Sequence, residues 1–142
     1  MVVAACSLAI VLALVLGVGI VSQGILRHLV QTAPLWPAII LGFRRNELSK
    51  WCALPALVFW LLVMICIWLF LLGWARIVTG TFTPVEIAMT IVCGIAAAAG
   101  IASGLRQRTA TRPLRAVALL TLFALLQLIA FRLSLLPGIS HD

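Results

Sequence analysis

Four long apolar runs organise this chain of 142 residues, and polar or proline-broken stretches separate them. The runs cover residues 2–22, 51–76, 84–104 and 115–136. Each reaches the length of about 20 residues that a helix needs to cross about 30 Å of hydrocarbon. None alternates between polar and apolar positions, as barrel strands would. In lipid the backbone must satisfy its own hydrogen bonds, so the runs are expected to be helices. The pattern predicts an all-α integral membrane protein. It is read as a single membrane domain over residues 1–142, a four-transmembrane-helix bundle with an interfacial or re-entrant segment at residues 23–50, between the first two spans.

The third span is the one its neighbours are expected to contact. It opens on Thr83-Pro84-Val85-Glu86, the form of a helix start. Thr83 takes the N-cap, Pro84 the first helical position, and Glu86 reaches back to the N–H of the cap. At 100° per residue, Glu86, Thr90, Cys93, Ala97, Gly100 and Gly104 fall within about 40° of one line. Close backbone approach through small residues drives much of helix association in lipid, so this stripe should face protein. The first span carries Ala5, Ala9, Ala13 and Gly17 at four-residue spacing, and it is the expected partner of the third.

The second span is bulky, with Phe59, Trp60, Met64, Trp68 and Phe70 between flanking Trp51 and Trp74. Packing or lipid contact is the expected role of its aromatic stripe. The fourth carries Thr121, Gln127 and Arg132. Residues 23–50 are the hardest to place. Pro34 and Pro37 break any helix there, and the apolar piece after them is too short to span. We expect a surface-lying segment anchored by Trp36, with a re-entrant loop lining a substrate path as the alternative.

Composition supports lipid as the solvent: 65% of residues are hydrophobic. The charge is +7 and lies in loops. In a four-span chain Arg27, Arg44, Arg45, Lys50, Arg106, Arg108, Arg112 and Arg115 share one side, and Arg76 and Arg132 the other: eight against two. The positive-inside rule makes the first side cytoplasmic and places both termini on the non-cytoplasmic side. Arg44, Arg45, Lys50, Arg106, Arg108, Arg112 and Arg115 are then expected to meet anionic lipid headgroups. Nucleic acid is not an expected partner, since no aromatic–basic module is present. The N-terminal run has no basic n-region, so it is not read as a signal peptide. Rich in Arg and poor in Lys, the chain suggests a bacterial inner (plasma) membrane.

Groups that could carry chemistry are few. Cys6, Cys52, Cys66 and Cys93 are dispersed, so no metal site is expected. His141 and Asp142 offer only two ligands. His28 with Arg27, Arg44 and Arg45 reads as a solvated basic cluster rather than a phosphate site. No catalytic residue and no cofactor is expected. Ionisable groups inside spans usually pair or line a pathway, which singles out Glu86 with Thr90 and with Arg132 or Arg76; the capping role alone accounts for Glu86. The sequence therefore predicts a non-enzymatic multi-pass protein, an accessory, assembly or structural subunit in a homo-oligomer or a larger membrane complex. The alternative is an oligomeric small transporter or channel that uses Glu86 near the outer face.

Overall fold

The computed structural model describes residues 1–140; the His141–Asp142 pair lies outside the described residues. All regular structure among the described residues is helical, with no strand. Helix α1, Val2–Val21, is π-helical over Ala13–Val18. It is followed by α2 (Ile25–Thr32), α3 (Leu35–Phe43), α4 (Leu48–Leu71), α5 (Pro84–Arg106), α6 (Pro113–Leu133) and the short α7 (Pro137–Ser140). Four of them, α1, α4, α5 and α6, are long and apolar enough to cross a membrane.

Three of these helices stop by the same local device. At the end of α4, Gly73 adopts a left-handed conformation with φ 75°. Its N–H donates to Phe70 O at 2.9 Å, and the Trp74 N–H donates to Leu69 O at 2.9 Å. That is the Schellman closure, which satisfies two carbonyls left over at a helix end. It ends α4 at Leu71, short of the expected residue 76. Gln23 and Arg45 play the part of Gly73 after α1 and α3, with φ of 54° and 55°. At the other end α4 begins at Leu48, three residues before the expected start. The Asn46 side chain accepts the Leu48 N–H at 2.9 Å there.

Residues 25–43 depart most from expectation. They do not lie across the end of the bundle. They run lengthwise along α1, antiparallel to it. Ile25 sits against Gly19, and at the far end a Cβ on Gly42 would stand 2.5 Å from the Cβ of Ala4. Between α2 and α3 the chain barely deviates. Pro34 and Pro37 cannot donate to the carbonyls of Val30 and Ala33. Those carbonyls instead accept the N–H groups of Ala33 and Trp36, each at 3.2 Å. One exposed stripe continues through the break: Ile25, Leu26, Leu29, Ala33, Trp36, Pro37, Ile40 and Phe43. Every member is apolar. The opposite face is buried and includes Gln31, Thr32, Leu35, Ala38, Ile39 and Gly42. In α2 this arrangement is inside out relative to a water-soluble helix, with polar groups inward and Leu and Ile outward.

The core forms where α1, α3, α4 and α5 meet. On α5, Thr90, Cys93, Ala97, Gly100 and Gly104 are all buried. A Cβ on Gly100 would meet Leu57 at 2.9 Å and Cys6 at 3.2 Å, and one on Gly104 would meet Leu54 at 3.4 Å. These glycines let α5 settle against α1 and α4. On α1 the contact is not the expected stripe. Ala5 is exposed and Ala9 half-buried, whereas Val3, Ala4, Ser7, Ile10, Ala13 and Leu14 are buried. A strict four-residue spacing drifts by about 40° per step, so Ala5 and Gly17 end about 120° apart on a straight helix. Gly17 does face α5, with Met89 filling the space beside it.

The course of 25–43 fixes the two ends of the bundle. Met1 lines a depression with Arg45, Asn46, Glu47, Gln107 and Arg108. The first residue therefore stands with the basic loops, not opposite them as a four-span path requires. Arg27 moves the other way, to the end that holds Glu86.

Candidate functional site: a polar cavity at the Glu86 end

Glu86 is positioned by its own helix start. The Thr83 hydroxyl accepts the Glu86 N–H at 3.3 Å. Glu86 Oε2 in turn accepts from the Thr83 N–H at 2.7 Å and from the Thr83 hydroxyl at 2.8 Å. This reciprocal cap ties down one carboxylate oxygen. The helix N-terminus also favours negative charge there.

Glu86 is half-buried and lines a cavity of about 340 Å³ between α1, α2, α4 and α5. Arg27, His28 and Gln31 enter it from α2, Trp60 and Met64 from α4, and Thr90 from α5. Leu14 and Val18 contribute from the π-helical part of α1. Phe82 and exposed Thr79 come from the α4–α5 connection, and exposed Ser22 from the end of α1. The lining is polar towards Ser22, Thr79 and Glu86 and apolar towards Trp60 and Met64. Its volume is that of a small-molecule site.

The hydrogen-bond inventory of the cavity is uneven. His28 Nδ1 lies 2.8 Å from Gly24 O. A carbonyl only accepts, so Nδ1 carries the proton and Nε2 remains for other partners. Thr90 donates to Ile87 O at 2.7 Å, and Ser22 to Val18 O at 2.8 Å. Gln31 is committed behind the wall: its Nε2 donates to the Ser134 hydroxyl at 3.0 Å, and its main-chain carbonyl accepts from Gln127 Nε2 at 3.1 Å. Two buried donors of the lining residues have no partner among the described residues, Arg27 Nε and Trp60 Nε1. Trp60 is only 3% exposed. Such orphans are uncommon, because an unmade buried bond costs about 1–3 kcal/mol.

The other residues singled out by sequence are distributed as follows. Arg76 and Arg132 are exposed and do not line the cavity; the basic groups beside Glu86 are Arg27 and His28. Sequence reasoning missed both as neighbours of Glu86, since a four-span path puts them at the opposite surface. Arg44, Arg45, Arg106, Arg108, Arg112 and Arg115 are exposed at the Met1 end. Lys50 is corrected as a headgroup contact. It is 6% exposed, and its Nζ donates to Gln107 O at 2.5 Å, at the C-terminus of α5. The ammonium also sits 4.5 Å from the ring of Trp51. A cation on the negative end of a helix and over an aromatic face serves the bundle itself. Ala97, Gly100 and Gly104 belong to the helix contacts described above.

Comparison with family models, with curated proteins and with solved structures finds no significant match to this chain.

Proposed function

We propose that this is an integral membrane protein that crosses the bilayer five times, α2 and α3 together forming the extra crossing, and that it binds a small solute in the Glu86 cavity as part of a transport function. The observation that carries this reading is the cavity. It joins an Arg, a His and a Glu from two helices, at a depth where two helix backbones lose regularity. The π-helical stretch Ala13–Val18 supplies Leu14 and Val18 to its wall. The Pro34 break follows Gln31 by three residues. Irregular helix backbone within a membrane is tolerated where protein or a water-filled cavity surrounds it, and it often marks a binding site.

The charge distribution supports an orientation. Arg44, Arg45, Lys50, Arg106, Arg108, Arg112 and Arg115 are at the Met1 end, and Arg27, Arg76 and Arg132 at the other, seven against three of the ten basic side chains. Positive-inside orientation then makes the Met1 end cytoplasmic and opens the cavity to the non-cytoplasmic side. The N-terminal end is cytoplasmic on this path, and a bacterial inner membrane is the proposed setting. The exposed arginines of the cytoplasmic end meet anionic headgroups.

The test is aqueous access. In a variant with Cys6, Cys52, Cys66 and Cys93 replaced, Thr90→Cys is expected to react with a water-soluble, membrane-impermeant thiol reagent added from the non-cytoplasmic side. Thr79→Cys, at the rim, calibrates full reactivity. Reaction at position 79 with none at position 90 would sink the reading.

A second reading, an accessory or assembly subunit, is favoured by one specific feature. Between α4 and α5 lies an apolar groove of about 360 Å³, floored at Gly94 and lined by Met64, Ile65, Trp68, Ile91 and Ile95. It has the character of a helix-docking surface. A stoichiometric protein partner retained through purification in native nanodiscs would favour this reading over the first.

A further inference from the structure

The lining of the Glu86 cavity restricts what it can hold, through the Arg27 cation and a largely apolar wall. Among the described residues four buried side-chain polar atoms have no hydrogen-bond partner: Arg27 Nε, Trp51 Nε1, Trp60 Nε1 and Gln127 Oε1. All four are closed to solvent and none meets a ligand directly. The lasting charge in the cavity wall is the Arg27 guanidinium. Arg27 is a permanent cation, so an oxyanion meets it better than a neutral hydroxyl or carbonyl. Glu86 is the only anionic side chain among the described residues that line the cavity. Its Oε2 is already engaged by Thr83, and it stands at the mouth.

The rest of the wall selects the body of the molecule. Leu14, Val18, Val63, Met64, Ile67 and Phe82 surround the space, and an apolar body gains roughly 25 cal/mol for each Å² it buries there. We propose that the cavity binds an amphiphilic oxyanion, with its carboxylate or phosphate head on Arg27 and its apolar body along α1 and α4. The inference rests on the cavity reading above. The same chemistry is available from a free carboxylic acid with an alkyl chain and from an anionic phospholipid whose head reaches in from the leaflet.

The experiment separates these sources. The purified protein is placed in phosphatidylcholine nanodiscs, and binding of radiolabelled decanoate is measured. Phosphatidylglycerol retained from mixed-lipid nanodiscs is measured in parallel by native mass spectrometry. Four proteins are compared: the unmodified chain, Arg27→Gln, Trp60→Phe and Arg132→Gln. Arg132 is an exposed arginine at the same end and outside the cavity, so it controls for surface charge. One of the two anions is expected to bind saturably at one per chain. Loss of a charge-assisted bond weakens it about ten-fold or more in Arg27→Gln. Trp60→Phe keeps an aromatic ring in the wall and loses an N–H closed to the cavity, so binding is expected to be unchanged. Arg132→Gln leaves binding unchanged. Arg27-dependent decanoate binding identifies a free acid, and Arg27-dependent phosphatidylglycerol retention identifies a lipid. Decanol binding as tightly as decanoate would overturn the proposal, as would equal losses in Arg27→Gln and Arg132→Gln or no saturable binding of either anion. If Thr90→Cys is reactive and neither anion binds, the ligand class falls and the cavity stands. If Thr90→Cys is unreactive, both fall.

Discussion

The two ends of this bundle are built from the same helices and solve opposite problems. At the Met1 end the helices close on one another. Gly42 admits Ala4 and Ser49, the Ser49 hydroxyl donates to Ala38 O at 2.7 Å, and the Lys50 ammonium is held by Gln107 O. Ser49 and Lys50 there each have a partner on a different element, and the Trp51 N–H beside Lys50 is the one buried donor of this end left without a partner among the described residues. At the Glu86 end bulkier residues hold α1, α2, α4 and α5 apart, and Met89 rather than a second small residue meets Gly17. Arg27 and Trp60 are left with unmade donors. Closure with satisfied polar groups is what stability requires. Separation with unsatisfied donors is what a binding site requires, and it lowers stability where it occurs.

Substitutions can break or sharpen this contrast. The largest effect is expected at the closed end. Gly42→Leu forces side-chain atoms into Ala4 and Ser49 and should cost about 3 kcal/mol, or prevent folding, in detergent unfolding experiments. Gly138→Leu, at a glycine with nothing within 4 Å, should stay within about 0.5 kcal/mol by the same assay. Lys50→Met removes a partnered, buried cation and leaves the Gln107 carbonyl unpaired. A loss of about 2 kcal/mol is expected, and a loss near zero would put Lys50 back among the lipid contacts. Thr83→Ala deletes the cap of α5 and should cost about 1 kcal/mol. Hydrogen exchange at the first turn of α5 would locate that effect. The smallest net change is expected at the cavity itself. Trp60→Phe removes a donor that has no partner and leaves a void where the second ring of a 3% exposed side chain stood, two effects of opposite sign that should leave stability within about 1 kcal/mol. A loss above about 3 kcal/mol exceeds the void alone and would show that the indole N–H is satisfied within the bundle.

Much of the scaffold was legible in the sequence. The four long spans follow from apolar length alone, and Thr83-Pro84-Val85-Glu86 carries a capping box in its letters. The small-residue stripe of α5 is also readable, because Gly100 and Gly104 keep their register on a regular helix. The α1 stripe is not, because four-residue spacing rotates away from any fixed face. The course of residues 25–43 was hidden for a different reason. Two prolines interrupt the pattern, and an amphipathic helix has the same 3.6-residue period whether its apolar face meets lipid or a protein core. Only the burial of Gln31 and Thr32 opposite exposed Ile25 and Leu29 decides which face is which. The site was hidden with it. Arg27 and His28 reach Glu86 only if the chain returns along α1 before α4 begins, so a four-span reading separates them by the full thickness of the bundle. The π-helical turn of α1 has no sequence signature that we recognise.

Everything proposed about the cavity depends on that return path, and one accessibility measurement tests it directly. In the cysteine-free background, Gln23→Cys and Arg45→Cys would each be probed in intact cells and in inverted vesicles with a membrane-impermeant thiol reagent. The two positions flank α2 and α3. If this segment crosses the membrane, Gln23→Cys reacts only from the non-cytoplasmic side and Arg45→Cys only from the cytoplasmic side. Reaction of both from the same side would contradict the five-crossing path, return residues 23–50 to the membrane surface, and separate Arg27 from Glu86.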